Sequence, residues 1–302
     1  MTTNIQPGSV VVAVDGSEHA GLALRWATEQ AWLERRPLAL LTATGLPTVP
    51  IGTWGGVASG YAYPSEELLE EAHTVARHAQ AIAEGLRPGV EAHAHAVLGD
   101  ARQVLLDASR DAHLVVLGSR GRGPISSRLL GSVSASVSRD AACPVVVCRP
   151  GVDEQPEPDQ GVLVGADGTP ESLPVIEFAL AYAAARDLPV TVMHTFVDQL
   201  TGVLGPGEVS RAEVGHEEQW LLLSESLAGL AEKYPDVDIR KVLARGFVED
   251  RLSTGSERWD LVVVGRHPVD TIARFVSGAV ATYVVEHARG TVAVVPQPKA
   301  VR

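Results

Sequence analysis

The sequence predicts an α/β protein of two tandem domains, each a parallel sheet covered by helices on both faces. Short, continuously apolar runs rich in Val, Ala and Leu alternate with longer stretches whose apolar residues recur at threes and fours. That is how strands buried on both faces alternate with amphipathic crossover helices. The order β-α-β-α-β-α-β-α-β is run through twice, and a polar, proline-rich joint, "PGVDEQPEPDQG" at 150–161, separates the two passes.

The passes correspond element by element. "VVVAVDGS" at 10–17 answers "GVLVGADGT" at 161–169, each an apolar strand that runs out on an aspartate, Asp15 in the first half and Asp167 in the second. The helices "EHAGLALRWATEQAWLERR" and "ESLPVIEFALAYAAARD" follow, and Pro37 and Pro189 end them and open the strands "PLALLTAT" and "PVTVMHTF". Ser65 as N-cap, with acidic residues in the next turn, starts a long helix over 65–86, whose counterpart spans roughly 208–233. The alternating stretches "VEAHAHAV" and "VDIRKVLA" read as strands, and "GDARQVLLDASRDA" and "GFVEDRLSTGSERW" as helices. Each half then closes on a strand, a glycine-bearing loop, a helix and a last strand: "HLVVLG" to "PVVVCR", then "DLVVVG" to "TVAVVP". The last strands, expected at sheet edges, invite pairing, either with each other as an internal pseudo-dimer or between two chains as a homodimer.

The chain of 302 residues has room for two domains of about 150 residues each. The boundaries read as 1–150 and 161–302, with 151–160 as linker. The formal net charge of −12 argues against a nucleic-acid partner. It is uneven: 12 Arg against 14 acidic residues in 1–150 leave −2, and 13 Arg plus Lys against 23 acidic residues in 151–302 leave −10. An anion is therefore easier to place in the first half. Cys143 and Cys148 flank an apolar run whose period of two points them to opposite faces, so they read as core thiols in a reducing compartment. The N-terminus lacks a basic, apolar leader pattern and no apolar run reaches 18 residues, so a cytoplasmic protein without a membrane partner is expected.

The stretch "GSRGRGPISSRLLGSVSASV" at 118–137 crowds glycines, serines and arginines between a strand and a helix. Bare backbone amides and a helix start, where the dipole is positive, suit a phosphate. Gly118 and Gly121 stand at the strand end, Gly131 and Ser132 open the next helix, and Arg120, Arg122 and Arg128 add positive charge. Asp15 falls on the same carboxyl-terminal edge of the sheet, where it can accept a ribose hydroxyl, hold magnesium, or simply make a turn and cap with Gly16 and Ser17. Neither GxGxxG after the first strand nor GxxxxGK[ST] occurs, which disfavours the dinucleotide fingerprint and the P-loop.

The spacing Gly-x2-Gly-x9-Gly-Ser after "VVLG", with an aspartate ending the first strand, resembles the ATP-binding signature of the universal stress protein family. The resemblance covers nearly the whole chain as two domains. It implies a Rossmann-like, five-stranded fold of the adenine nucleotide alpha hydrolase kind that binds ATP, with Mg2+, and dimerises through its last strand. Carried over residue by residue, it places ATP against Asp15, Ala43, Leu117, Gly118, Gly121, Gly131, Ser132, Val133 and Ser134. The second half departs from the pattern. Asp167, Gly265, Gly278 and Val280 stand at matching positions, but Pro268 replaces the second glycine and Ala279 the serine, removing an N–H donor and a hydroxyl. His267 stands for Arg120 and Asp270 for Gly123, so only a weak site is expected, with Arg266 as a remnant cation.

No catalytic or metal-binding constellation is expected. His93 and His95 share a strand face but read as packing, and "GSVSA" is not the GxSxG elbow. The loops "GTWGGVASGYAYP" at 52–64 and "GVLGPGEV" at 202–209 read as lids or inert connections. The reading is a cytoplasmic ATP-binding stress-response regulator acting on an unidentified protein partner; the alternative is a slow ATPase or adenylyl-transferring enzyme.

Overall fold

Runs that are apolar on both sides of the pleat settle as strands with no face to water. The structure, a computed structural model, describes residues 5–45, 65–121, 130–150, 160–198, 201, 205–267 and 274–298, without the side chains of 65 and 274–279. It divides into two compact units, Met1–Pro124 and Ile125–Arg302.

The first unit runs β1 (Val10–Ala13), α1 (Glu18–Glu34), β2 (Leu38–Thr44), α2 (Ser65–Leu86), β3 (Ala92–Leu98), α3 (Ala101–Ala108) and β4 (Leu114–Gly118). Its strands lie in the order β3-β2-β1-β4, all parallel. Val10, Val11, Val12, Leu38, Leu40, Leu114, Val115 and Val116 are fully buried, so the centre of this sheet is its core. Ser17 caps α1 by accepting from Ala20 N at 3.2 Å, and Arg35, in the left-handed region at φ 53°, ends it just before Pro37. Asp100 caps α3, accepting from Arg102 N at 2.9 Å and Gln103 N at 3.3 Å. The Arg102 guanidinium and these amides hold its carboxyl down at about 2.

The second unit contains α4 (Ser132–Asp140), β5 (Val145–Cys148), β6 (Val162–Gly165), α5 (Leu173–Ala184), β7 (Val190–Phe196), β8 (Gly207–Glu208), α6 (Glu217–Lys233), β9 (Ile239–Arg245), α7 (Val248–Ser253), β10 (Leu261–Arg266), α8 (Arg274–His287) and β11 (Val292–Pro296). The strand order is β5-β11-β10-β6-β7-β9-β8. Pairing is antiparallel at β5/β11 and β8/β9 and parallel at β11/β10, β10/β6, β6/β7 and β7/β9. β5 and β11, expected at edges, pair with each other through Val145–Val147 and Val292–Val294, all buried. Arg149 donates to the carbonyls of Val285 and Glu286, at the C-terminal turn of α8 where the helix dipole is negative.

Two expected helices are shorter. The one drawn over 208–233 starts at Glu217, because Gly205 and Gly215, at φ 74° and 98°, break the backbone and Gly207–Glu208 joins β9 as a strand. Arg245, buried at the end of β9, gathers this segment: it donates to Asp198 at 3.1 Å and to Glu213, and touches His216 at 3.2 Å. Its guanidinium holds the Glu213 carboxyl below the usual range; at Asp198 burial opposes, but hydrogen bonds from Thr201 and Arg245 win in the same direction. "GFVEDRLSTGSERW" splits into α7 and a single turn, Ser256–Arg258, because Gly255 sits at φ 71°.

Leu40→Ala, at a site with no exposure, should lower unfolding free energy by about 2–5 kcal/mol in urea titrations. The Asp100 carboxyl should titrate near pH 2 by carbon NMR. Its folded pKa lies below the unfolded value, so the cap stabilises the fold above about pH 4 and that contribution fades as pH falls towards 2. A midpoint at about 4 would show that the cap is not formed.

Candidate functional site

The chain leaves the first unit's sheet at Asp15. Val14 still donates to Leu41 O at 3.0 Å, and its own carbonyl accepts the Thr42 hydroxyl at 2.9 Å. Gly16 then turns at φ +78°, and Asp15 Oδ1 accepts from Ser17 N at 2.9 Å. The turn-and-cap role is therefore real, and it engages Oδ1. The other, Oδ2, lies 2.6 Å from where a Cβ on Gly121 would stand, so the loop after β4 passes against the carboxylate and a side chain there would have to displace it.

Gly118 is constrained from the other side. A Cβ there would meet the His19 carbonyl at 2.6 Å and Ala20 N at 2.9 Å, so the end of β4 seats against the first turn of α1. Ser119, buried, lies 3.0 Å from His19 Nδ1 through its hydroxyl, a pair no sequence pattern announced. Leu117 is buried in β4, and Ala43, half-buried in β2, stands opposite Val97. Asp15, Ala43, Leu117, Gly118 and Gly121 thus share the carboxyl-terminal edge of one sheet. Arg120 brings a guanidinium whose buried Nε has no hydrogen-bond partner among the described residues. Arg122, Arg128 and the whole 52–64 loop lie outside the described residues.

Gly131, Ser132, Val133 and Ser134 belong to the second unit, where they start α4. Gly131 is the N-cap at φ −66°, ψ 147° and offers no side-chain oxygen to the first turn; Ser132 is exposed, Val133 half-buried and Ser134 buried.

In the second half, Asp167 Oδ1 accepts from Thr169 N at 2.9 Å and from its hydroxyl at 2.6 Å, with Gly168 at φ +80°. A cavity of about 170 Å³ opens here, lined by Asp167, His194, Thr195, Gly265, His267 and Gln297, with Val280 also on its wall. His194 Nδ1 is 3.0 Å from Ala166 O, and Gln297 packs over Gly265, whose Cβ would stand 2.7 Å from its amide carbon. Gly278 lies inside α8; Pro268, Asp270 and the side chain of Ala279 are outside the described residues. The expectation that Arg266 remains available as a site cation is corrected. Its guanidinium donates to the carbonyls of Arg139, at 2.6 Å, and Ala141, at the C-terminal end of α4. The sequence missed His194 and Gln297, although the repeat offset could have shown His194 standing where the first half has Thr42.

His93 does have an acidic neighbour, Glu91 at 3.1 Å, but no cluster of three or more His, Cys, Asp or Glu side chains suited to a metal occurs among the described residues. Burial and the neighbouring His93 lower the pKa of His95. Cys143 and Cys148 are free and buried, and burial pushes the Cys148 thiol up. Among the described residues no helix is long and apolar enough to cross a membrane.

The family model described as the universal stress protein family matches residues 8–149 and again 160–296. Universal stress protein Rv2623 of Mycobacterium tuberculosis is 33% identical over 297 residues, covering 94% of this chain and 95% of the relative. Universal stress protein Rv2005c of the same organism is 31% identical over 295 residues, covering 95% and 97%. A universal stress protein from Archaeoglobus fulgidus has the same fold at 15% identity, with a TM-score of 0.66 over 97% of this chain and 98% of that one.

The glycine geometry predicts opposite outcomes for two alanine substitutions. Gly118→Ala drives a methyl into the backbone of α1 and should destabilise the protein by about 1–3 kcal/mol. Gly21→Ala, in α1 with open space around its Cβ, should stabilise it by up to about 1 kcal/mol. Equal shifts in thermal unfolding would contradict the close approach of β4 to α1.

Proposed function

Because the chain belongs to the universal stress protein family, we propose that it is a stress-response regulator whose first half binds ATP with magnesium and whose occupancy biases conformation or grip on a protein partner. The observation that carries this reading is the Asp15–Gly121 approach: a carboxylate oxygen beside a loop position where a side chain would have to push it aside. Such an arrangement keeps backbone and carboxylate open to a polyhydroxylated, phosphorylated ligand. The Nε of Arg120, which has no hydrogen-bond partner among the described residues, suits an anion in the same place.

In this reading Asp15 Oδ2 takes a ribose hydroxyl or the metal ion, while Ala43 and Leu117 border the base. Gly118 and Gly121 let the phosphates approach the main chain. The motif's third glycine, Gly131, with Ser132, Val133 and Ser134, supplies helix-start amides on the strength of the sequence signature. Bound ATP contributes a triphosphate whose charge favours the states in which these groups are ordered. The protein resides in the cytoplasm in this proposal, and association between copies is part of its regulation.

A second reading, slow ATP hydrolysis or adenylyl transfer, draws on the Ser119–His19 contact, a hydroxyl beside an imidazole at the same sheet edge. Turnover abolished by both Asp15→Asn and His19→Ala would favour it over pure binding.

Titration calorimetry with MgATP on nucleotide-stripped protein should give about one ATP per chain, and Gly121→Ala should weaken binding at least about tenfold, or about 1.4 kcal/mol. No heat with any adenine nucleotide would overturn the proposal.

A further inference from the structure

α4 is a helix with little of its own to hold it. Its nine residues, Ser132–Asp140, fall below the roughly 12–15 that an isolated helix needs in water. The sequence SVSASVSRD is rich in serine and β-branched valine, both weaker helix formers than alanine. Gly131 at the N-cap has no side chain to bond the first turn, and the C-cap Ala141 is extended at φ −61°, ψ 149°, so no left-handed glycine closes the other end. Arg139, the basic residue of the last turn, is bonded to the Asp140 carboxylate at 2.9 Å.

The second half closes that end. Arg266 is the last residue of β10, its backbone fixed by the register with Pro296 of β11 and by Gln297 N, which donates to its carbonyl at 2.9 Å. From there one terminal nitrogen of the guanidinium donates to Arg139 O at 2.6 Å and the other to Ala141 O. Carbonyls at a helix C-terminus lack partners within the helix and carry the negative end of its dipole. A planar, two-pronged cation satisfies both and fixes the helix along and about its axis. The arrangement is reciprocal. Arg149, which follows β5, donates to Val285 O and Glu286 O in the last turn of α8, the second half's counterpart of α4.

We propose that Arg266 is a positioning residue for the nucleotide of the first half: from the second half it clamps the C-terminal carbonyls of α4, and so holds the amides of Gly131–Ser134 in place for the phosphates. The inference rests on reading the first half as an ATP site, in which the start of α4 serves the phosphates. Magnitudes decide how the clamp acts. The helix is about 13 Å long, beyond the roughly 8–10 Å over which salt leaves exposed charges visible to each other. The guanidinium's charge therefore adds little at the phosphates, and placement of the helix is its contribution. The tandem arrangement then has a function beyond doubling the site, because one half sets the affinity of the other.

The test compares Arg266→Met, Arg266→Lys and Arg149→Met in the full chain, with thermal unfolding confirming that each folds. Calorimetry with MgATP should show Arg266→Met weakened about fivefold or more, and Arg266→Lys, with one nitrogen in place of two, between it and wild type. Arg149→Met makes the same deletion at α8 and should leave MgATP affinity within about twofold of wild type. Without nucleotide, hydrogen exchange over 131–141 should quicken in Arg266→Met while exchange in α1 does not, a local change that a merely structural role would spread across the protein. If Arg266→Met does not fold, Arg266→Lys against Arg149→Met makes the same comparison. MgATP bound by Arg266→Met and Arg266→Lys as by wild type, or weakened equally by Arg149→Met, overturns this inference and leaves the first-half reading standing. Wild type that binds no MgATP removes the reading and the inference together.

Discussion

A strand whose every side chain is apolar has to be covered on both faces, and the rest of this structure follows from that constraint. Val10–Val12 and Val162–Val164 lie at the centres of their sheets with almost no exposure. Hydrogen-bonding groups that must meet a ligand therefore have no place along the strands. They collect where the strands end. Asp15 and Asp167 are the first residues able to hold charge after β1 and β6, and each is fixed by a turn onto its own chain two residues on.

The same constraint acts on the glycines of the first unit's sheet edge. Gly118 and Gly121 are needed because two segments leaving a packed sheet at one edge come within a methyl's reach of α1 and of Asp15. Gly21, in the same unit, has open space around it and carries no such demand.

One repeat position shows how a duplicated unit changes task. Where the first half has Ser119 held beside His19, the second has Arg266, whose guanidinium closes the C-terminal carbonyls of α4. A cation that cancels a helix end is no longer free to neutralise a ligand. The divergence of the second site is thus tied to packing around the antiparallel β5–β11 pair, which buries the edges that both strands would otherwise expose.

The repeat, the strand and helix order, the parallel sheets and the strand-end aspartates were legible from apolar periodicity, because burial on two faces leaves an unbroken signature in the chain. The glycine spacing was legible too, since a missing side chain is visible as a letter. The premature start drawn for α6 and the unbroken helix drawn through Gly255 failed because a positive φ at Gly215 or Gly255 is chosen by the surrounding contacts, not by the letter. The tertiary structure alone decided that Arg266 turns away from its site, that Arg245 gathers Asp198, Glu213 and His216, and that His194 reaches the Ala166 carbonyl. Each of these joins residues far apart in sequence through side-chain direction, which no local pattern encodes. Composition decides what must be buried; only the packed chain decides which polar atoms are left to meet a ligand.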